Sequence, residues 1–290
     1  MADTINQLST GLSIASILLL VSLGLAIIYG TMGVINLAHG DFLMLGAYSV
    51  WFLQTYFGIS LIPGLVLVFL MVGAVGWLVE KTIIRHLYAR PLDTILATWG
   101  IGILLEQSVR LGAGAELRYV QMPPSLTSAV HILGTDQSTY RIFIFVLTVL
   151  LLLATYGLIF KTSFGMRLRA VTQNPEIAKC FGVNASQVYS LTFAYGAGLA
   201  GIAGALISPL KSVSPDMGIG FVVDAFMVVV MGGVESLLGT VVSSGLLGEL
   251  SGGIAYLTND TLAKAVVFTG IVILIRFRPQ GLFAVRMRRG

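Results

Sequence analysis

The feature that most constrains this chain is a succession of long, continuous apolar runs separated by short polar stretches. Nine can be read, roughly 11–32, 40–57, 61–80, 92–111, 140–160, 187–207, 222–233, 237–256 and 262–276. About 20 apolar residues in a helix cross the roughly 30 Å of hydrocarbon in a bilayer. Only 10% of the 290 residues are charged and 56% are hydrophobic; a soluble domain carries about 25% charged residues. A transmembrane β-barrel would show alternating segments of about ten residues, which these runs are not. The expected fold is therefore all-α, a polytopic membrane helical bundle forming one domain over 1–290. The seventh run is short, which leaves the count at eight or nine spans.

Charge predicts the orientation. With the N-terminus outside and each run crossing once, the inward stretches hold Lys81, Arg85 and Arg90, then Lys161, Arg167, Arg169 and Lys179, then Arg276, Arg278, Arg286, Arg288 and Arg289. Those are twelve of the 17 basic residues, and positive charge collects on the cytoplasmic side. The chain is thus read as N-out and C-in, and the same rule accounts for its basic balance without nucleic acid. The segment before Gly11 has no positive n-region, so the first run is expected to be retained as a span. Cys180 is the sole cysteine and allows no internal disulfide.

Two connections are long. The outer one, 112–139, contains Pro123 and Pro124 and is long enough to be a lid or docking surface. The inner one, 161–186, contains a short helix with clear punctuation. Asn174 suits the N-cap, Pro175 the first helical position and Glu176 the dipole, and Gly182 suits a left-handed close. A headgroup-lying surface helix and a helix that engages a cytoplasmic partner both fit this pattern. Gly196, Ala200 and Gly204, with Ala197, Gly201 and Ala205, mark two adjacent faces for close helix packing.

No phosphate-binding GxxxxGK[ST] loop, HExxH or Cys/His cluster occurs, so neither ATP hydrolysis by that loop nor a metal site is expected within the chain. The informative stretch is Asn36-Leu37-Ala38-His39-Gly40-Asp41, a polar break between apolar runs. Irregular backbone at membrane depth must be buried in protein or line a watery cavity. The residues alone leave a cytoplasmic turn and a discontinuous helix on a solute path as alternatives. Gly232-Gly233 forms a second break, and one break in each half suggests an inverted repeat. Thr98, Trp99, Gln107 and Asp224 complete the candidate path, since polar groups within spans are functional candidates. Glu106 has a structural alternative, pairing with Arg110 one turn on.

The segment Gly33-Val34-Ile35-Asn36-Leu37-Ala38-His39-Gly40-Asp41 resembles the G-x-x-N-x-A-H-G-[ED] motif of the LivH-type permeases of ABC importers for branched-chain amino acids and urea. Arg169 to Asn174, Ala178 and Gly182-Val183 resemble that family's cytoplasmic coupling segment, and Gly232-Gly233-Val234 with Gly239-Thr240 its late glycine turn. The resemblance spans nearly the whole chain. Arg90 to Gly100, Ala170 to Asn174, Val223 to Phe226 and Arg278 to Phe283 look closer to the urea (UrtB-type) permease; Glu235 stands where the family usually has glycine. The resemblance implies a non-enzymatic subunit of a bacterial plasma-membrane importer, forming half of a urea path. Branched-chain amino acids or short amides are the alternative cargo, and an ATP-independent channel or secondary transporter is the competing class. It also implies partners: a second homologous permease, two ATPase subunits that bind ATP and Mg²⁺, and an extracytoplasmic solute-binding protein. Arg167, Arg169, Asn174, Pro175, Glu176, Ala178 and Gly182 would then form the ATPase-coupling element.

Overall fold

The computed structural model describes residues 2–88, 90–132, 135–234 and 236–283. Arg286, Arg288, Arg289 and Glu235, named above, lie outside these residues. Each of the nine apolar runs is a helix: α1 (Ala2–Met32), α2 (His39–Phe57), α3 (Leu61–Thr82), α4 (Pro91–Ala113), α5 (Thr139–Lys161), and, after two short helices α6 (Ser163–Gln173) and α7 (Pro175–Cys180), α8 (Ala185–Ile207), α9 (Gly218–Gly232), α10 (Leu237–Leu257) and α11 (Asp260–Phe277). Among the described residues, five helices are long and apolar enough on their own to cross a membrane: Gln7–Met32, Leu61–His86, Thr139–Lys161, Ala185–Ile207 and Leu237–Leu257. The protein is a polytopic helical membrane bundle.

Local chemistry sets the starts. Asn184, Ser236 and Asn259 accept hydrogen bonds from Gln187, Gly239 and Leu262 N–H and cap α8, α10 and α11. The structure shifts some boundaries. α1 begins nine residues before the expected run, and α9 four residues before it. The outer connection is not a plain loop: β1 (Ala129–Ile132) pairs antiparallel with β2 (Thr135–Ser138).

Side-chain contacts fix which segments share an end of the bundle. Arg85, just after α3, donates to Ser190 at the start of α8, and Tyr88 stacks edge-on against Tyr189 at 5.1 Å. The first two basic clusters therefore share one end of the bundle. At the other end, Gln54 holds Gln121, Arg118 bridges to Val213, and Arg141 donates to Thr10.

The two halves are arranged alike. α1 packs antiparallel on α10, and α8 packs antiparallel on α3. α1 crosses α8, and α2 meets α9. Exchanging α1–α3 with α8–α10 leaves these neighbours unchanged. α1 starts at the outer end and α8 at the inner, so the repeat is inverted. The expected small-residue faces supply the close approaches. Gly196 abuts Gly24 and Ile28, Gly204 abuts the Leu43 carbonyl, and Ala197 and Gly201 abut Gly76 and Val72 of α3.

Candidate functional site

α1 ends at Gly33, whose φ of 65° turns the chain out of the helix. Residues 34–38 then run as a strap to α2. The strap folds back into the bundle. His39 Nε2 donates to the Val21 carbonyl at 2.9 Å, and Val21 lies eleven residues before Met32, about 16 Å back along α1 at 1.5 Å per residue. α2 therefore starts near the middle of the α1 span. This removes the cytoplasmic-turn reading of Asn36–Asp41: the break is a re-entrant, discontinuous helix.

The counterpart lies in the second half. α8 ends at Ile207, residues 208–217 re-enter, and α9 begins at Gly218. Gly40 and Gly218 touch: a Cβ on either would strike the carbonyl of the other. Two helix N-termini, each the positive end of its helix dipole, thus meet at the repeat interface. In transporters built from inverted repeats, solute sites lie at such junctions.

Polar side chains gather around it. Thr98 of α4 holds the strap: its hydroxyl accepts from Leu37 N–H at 3.2 Å and donates to Thr94 O at 2.9 Å, with Ile35 O at 3.4 Å. Asn36 and His39 are fully buried. Both the Oδ1 and Nδ2 of Asn36, and Nδ1 of His39, have no partner among the described residues. Asp41 stands in the first turn of α2, its carboxylate against Gly102 of α4. An unpaired buried amide costs about 1–3 kcal/mol per group, so Asn36 is a polar reserve inside an apolar bundle, offering one donor group and one acceptor.

Other expected path residues lie elsewhere. Trp99 follows Thr98 but faces outward, 60% exposed, and Gln107 is exposed on α4. Glu106 pairs with Arg110 at 2.5 Å, its structural alternative. Gly232 and Gly233 end α9 far along the chain from its start. Their turn, with Gly233 at φ 98°, is clasped by the C-terminal segment, since Leu282 N–H donates to Met231 O and Phe283 N–H to Gly232 O. The partner of the first break is the α8–α9 loop. Its signal was Pro209 and Pro215 among polar residues between two apolar runs. Asp224 sits mid-α9 and pairs with Lys264 of α11 at 2.8 Å.

At the inner end, α7 has the expected punctuation. Asn174 Oδ1 accepts from Glu176 and Ile177 N–H at 3.0 Å each, and Gly182 closes the helix at φ 79°. Leu168, Val171, Ala178, Ala185 and Val188 pack α6 and α7 onto α8. Arg167, Pro175, Glu176 and Lys179 face outward, with Ile177 56% and Phe181 84% exposed. Arg169 differs from its neighbours: it donates to the Ile159 carbonyl and lies over the Phe160 ring, which fastens α6 to α5.

With this geometry in place, comparison with known proteins is decisive. Residues 7–276 match the family described as branched-chain amino acid transport system / permease component. The chain belongs to this family. It is 28% identical to the high-affinity branched-chain amino acid transport system permease protein BraD of Pseudomonas aeruginosa, covering 96% of this chain and 95% of that protein. Against LivH of Escherichia coli K12, a permease protein of its high-affinity branched-chain amino acid transport system, identity is 27% over 96% and 94% of the two chains. LivM of the same organism, also a permease protein of that system, is 24% identical over 93% of this chain and 68% of its own length. No solved structure matches the permease.

Proposed function

We propose that this permease is one membrane subunit of an ABC importer for branched-chain amino acids, in a bacterial plasma membrane. The observation that carries the reading is end-to-end similarity to BraD and LivH, together with a projecting α7 that exposes apolar side chains. The urea reading rests on local stretches such as Arg90–Gly100, and the relatives named above carry amino-acid names. Similarity to both LivH and LivM supports a second, homologous permease as partner. ATP and Mg²⁺ belong in this reading to separate ATPase subunits, and a solute-binding protein delivers cargo at the outer end.

In this scheme α7 seats in an ATPase groove. Closure of the ATPases pushes α7, α6 and the start of α8 as one packed unit. α8 carries that displacement to α1, α2 and α3, which pack on it. The α2–α9 junction then opens or closes.

Uptake of radiolabelled leucine and urea, in a strain lacking its own systems and supplied with the whole transporter, tests the cargo. Leucine uptake that depends on this chain is expected. Urea uptake with no leucine uptake overturns the reading, and solute flux through the purified chain alone in liposomes overturns the importer class. The interface has its own test. Phe181→Asp should lower co-purification of the ATPases at least tenfold while membrane insertion holds, and unchanged recovery would remove α7 from the contact.

A further inference from the structure

At the outer end, α1, α9, α10 and α11 enclose a cavity of about 640 Å³, within the 300–1,000 Å³ range of small-molecule sites. Its floor is apolar: Leu18, Met227, Leu247, Val267 and Ile271. Its upper wall carries charge of both signs. The Asp224 carboxylate, only 13% exposed, faces Lys264 at 2.8 Å, and Arg141 and Lys211 also line the space. Met217, Gly220 and Phe221, flanking the start of α9 at Gly218, complete one side.

We propose that this cavity is a binding site for a zwitterionic α-amino acid with a branched apolar side chain. The ammonium takes Asp224, the carboxylate takes Lys264 with Arg141 or Lys211, and the side chain points to the Leu18–Ile271 floor. A zwitterion replaces the Asp224–Lys264 pair with two pairs of its own, so neither protein charge is left bare in a low-dielectric wall. Burying a leucine-sized side chain on the floor contributes the transfer free energy of its apolar surface. Urea is small and without an apolar body and would leave the floor unused. The site deepens the amino-acid reading above and rests on it.

The single native cysteine makes the test direct. In a Cys180→Ser background, Met227→Cys places a thiol on the floor. In proteoliposomes with the whole transporter, a small membrane-impermeant thiol reagent is added from the outer side. Millimolar leucine is expected to slow labelling at least fivefold, millimolar urea not at all. Adding Asp224→Asn should remove the protection and raise the KM for leucine at least tenfold. Two results overturn the site: labelling indifferent to leucine in a transporter that still imports leucine, or labelling that rises only on delipidation, which would make the occupant a lipid. A transporter that imports no leucine would instead fail the cargo reading.

Discussion

Alanine at Gly40 is expected to lower transport at least tenfold, and alanine at Gly218 to do the same. The added methyl in either case strikes the carbonyl of the other glycine. Backbone cannot swing aside as a long side chain can, so the two helix starts must separate. Overpacking of a tight core costs about 1–3 kcal/mol, and here the displacement falls on the strap that carries Asn36 and on His39 at the start of α2. Gly100 and Gly245 supply the controls. Both are helical, and nothing lies within 4 Å of a Cβ built on either. Alanine there should leave transport intact and, at a helix interior, gain up to about 1 kcal/mol. Uptake normalised to protein in the membrane measures all four. Full activity of Gly40→Ala would mean that the junction does not work as a close contact.

The second large effect is expected at Glu80, near the inner end of α3. Its side chain is fully buried and accepts hydrogen bonds from the Tyr88 and Ser190 hydroxyls. Arg85 reaches the same Ser190 hydroxyl at 3.4 Å. Burial, and then the hydrogen bond to Glu80, push the Tyr88 hydroxyl well above its ordinary range, so it remains a donor at any working pH. Glu80→Ala leaves the half-buried Tyr88 hydroxyl without its acceptor, at about 1–3 kcal/mol, while the Ser190 hydroxyl keeps the Ser186 carbonyl at 3.0 Å. That loss outweighs the relief of removing a buried carboxylate, because breaking a buried polar pair from one side is the costly route. Glu80→Gln keeps an acceptor oxygen and should cost less than half as much. Thermal unfolding in detergent reads the difference, and equal melting of the wild type and Glu80→Ala would dismiss the network as a stabilising element.

Much of the bundle was legible because the signal was length. Nine apolar runs became nine helices, and Asn174, Pro175 and Gly182 marked α7 to the residue at its start. What one dimension hid was rotation. A buried helix is apolar all round, so periodicity does not say which face meets which neighbour. Thr98 and Trp99 were therefore read together, yet one fastens the strap and the other faces outward. Arg169 was read with the exposed coupling residues, but its long stem lets it turn back to Ile159. The partner of the first break was misplaced for a related reason. Gly232-Gly233 is the more conspicuous glycine signal, whereas the 208–217 loop shows its importance only when α9 is seen starting against α2.

The pseudo-two-fold relation between α1–α3 and α8–α10 also bears on direction. If the halves trade conformations, the state that is open outward becomes the state that is open inward. The repeat by itself favours neither and would run equally well both ways. Asymmetry enters through what the repeat does not contain, including the outer hairpin of β1 and β2 and the α6–α7 pair at the opposite face. One lies where cargo arrives and the other where chemical energy would be applied. Import as opposed to export would thus be decided by the additions, with the symmetric frame serving only as the path between two equivalent states.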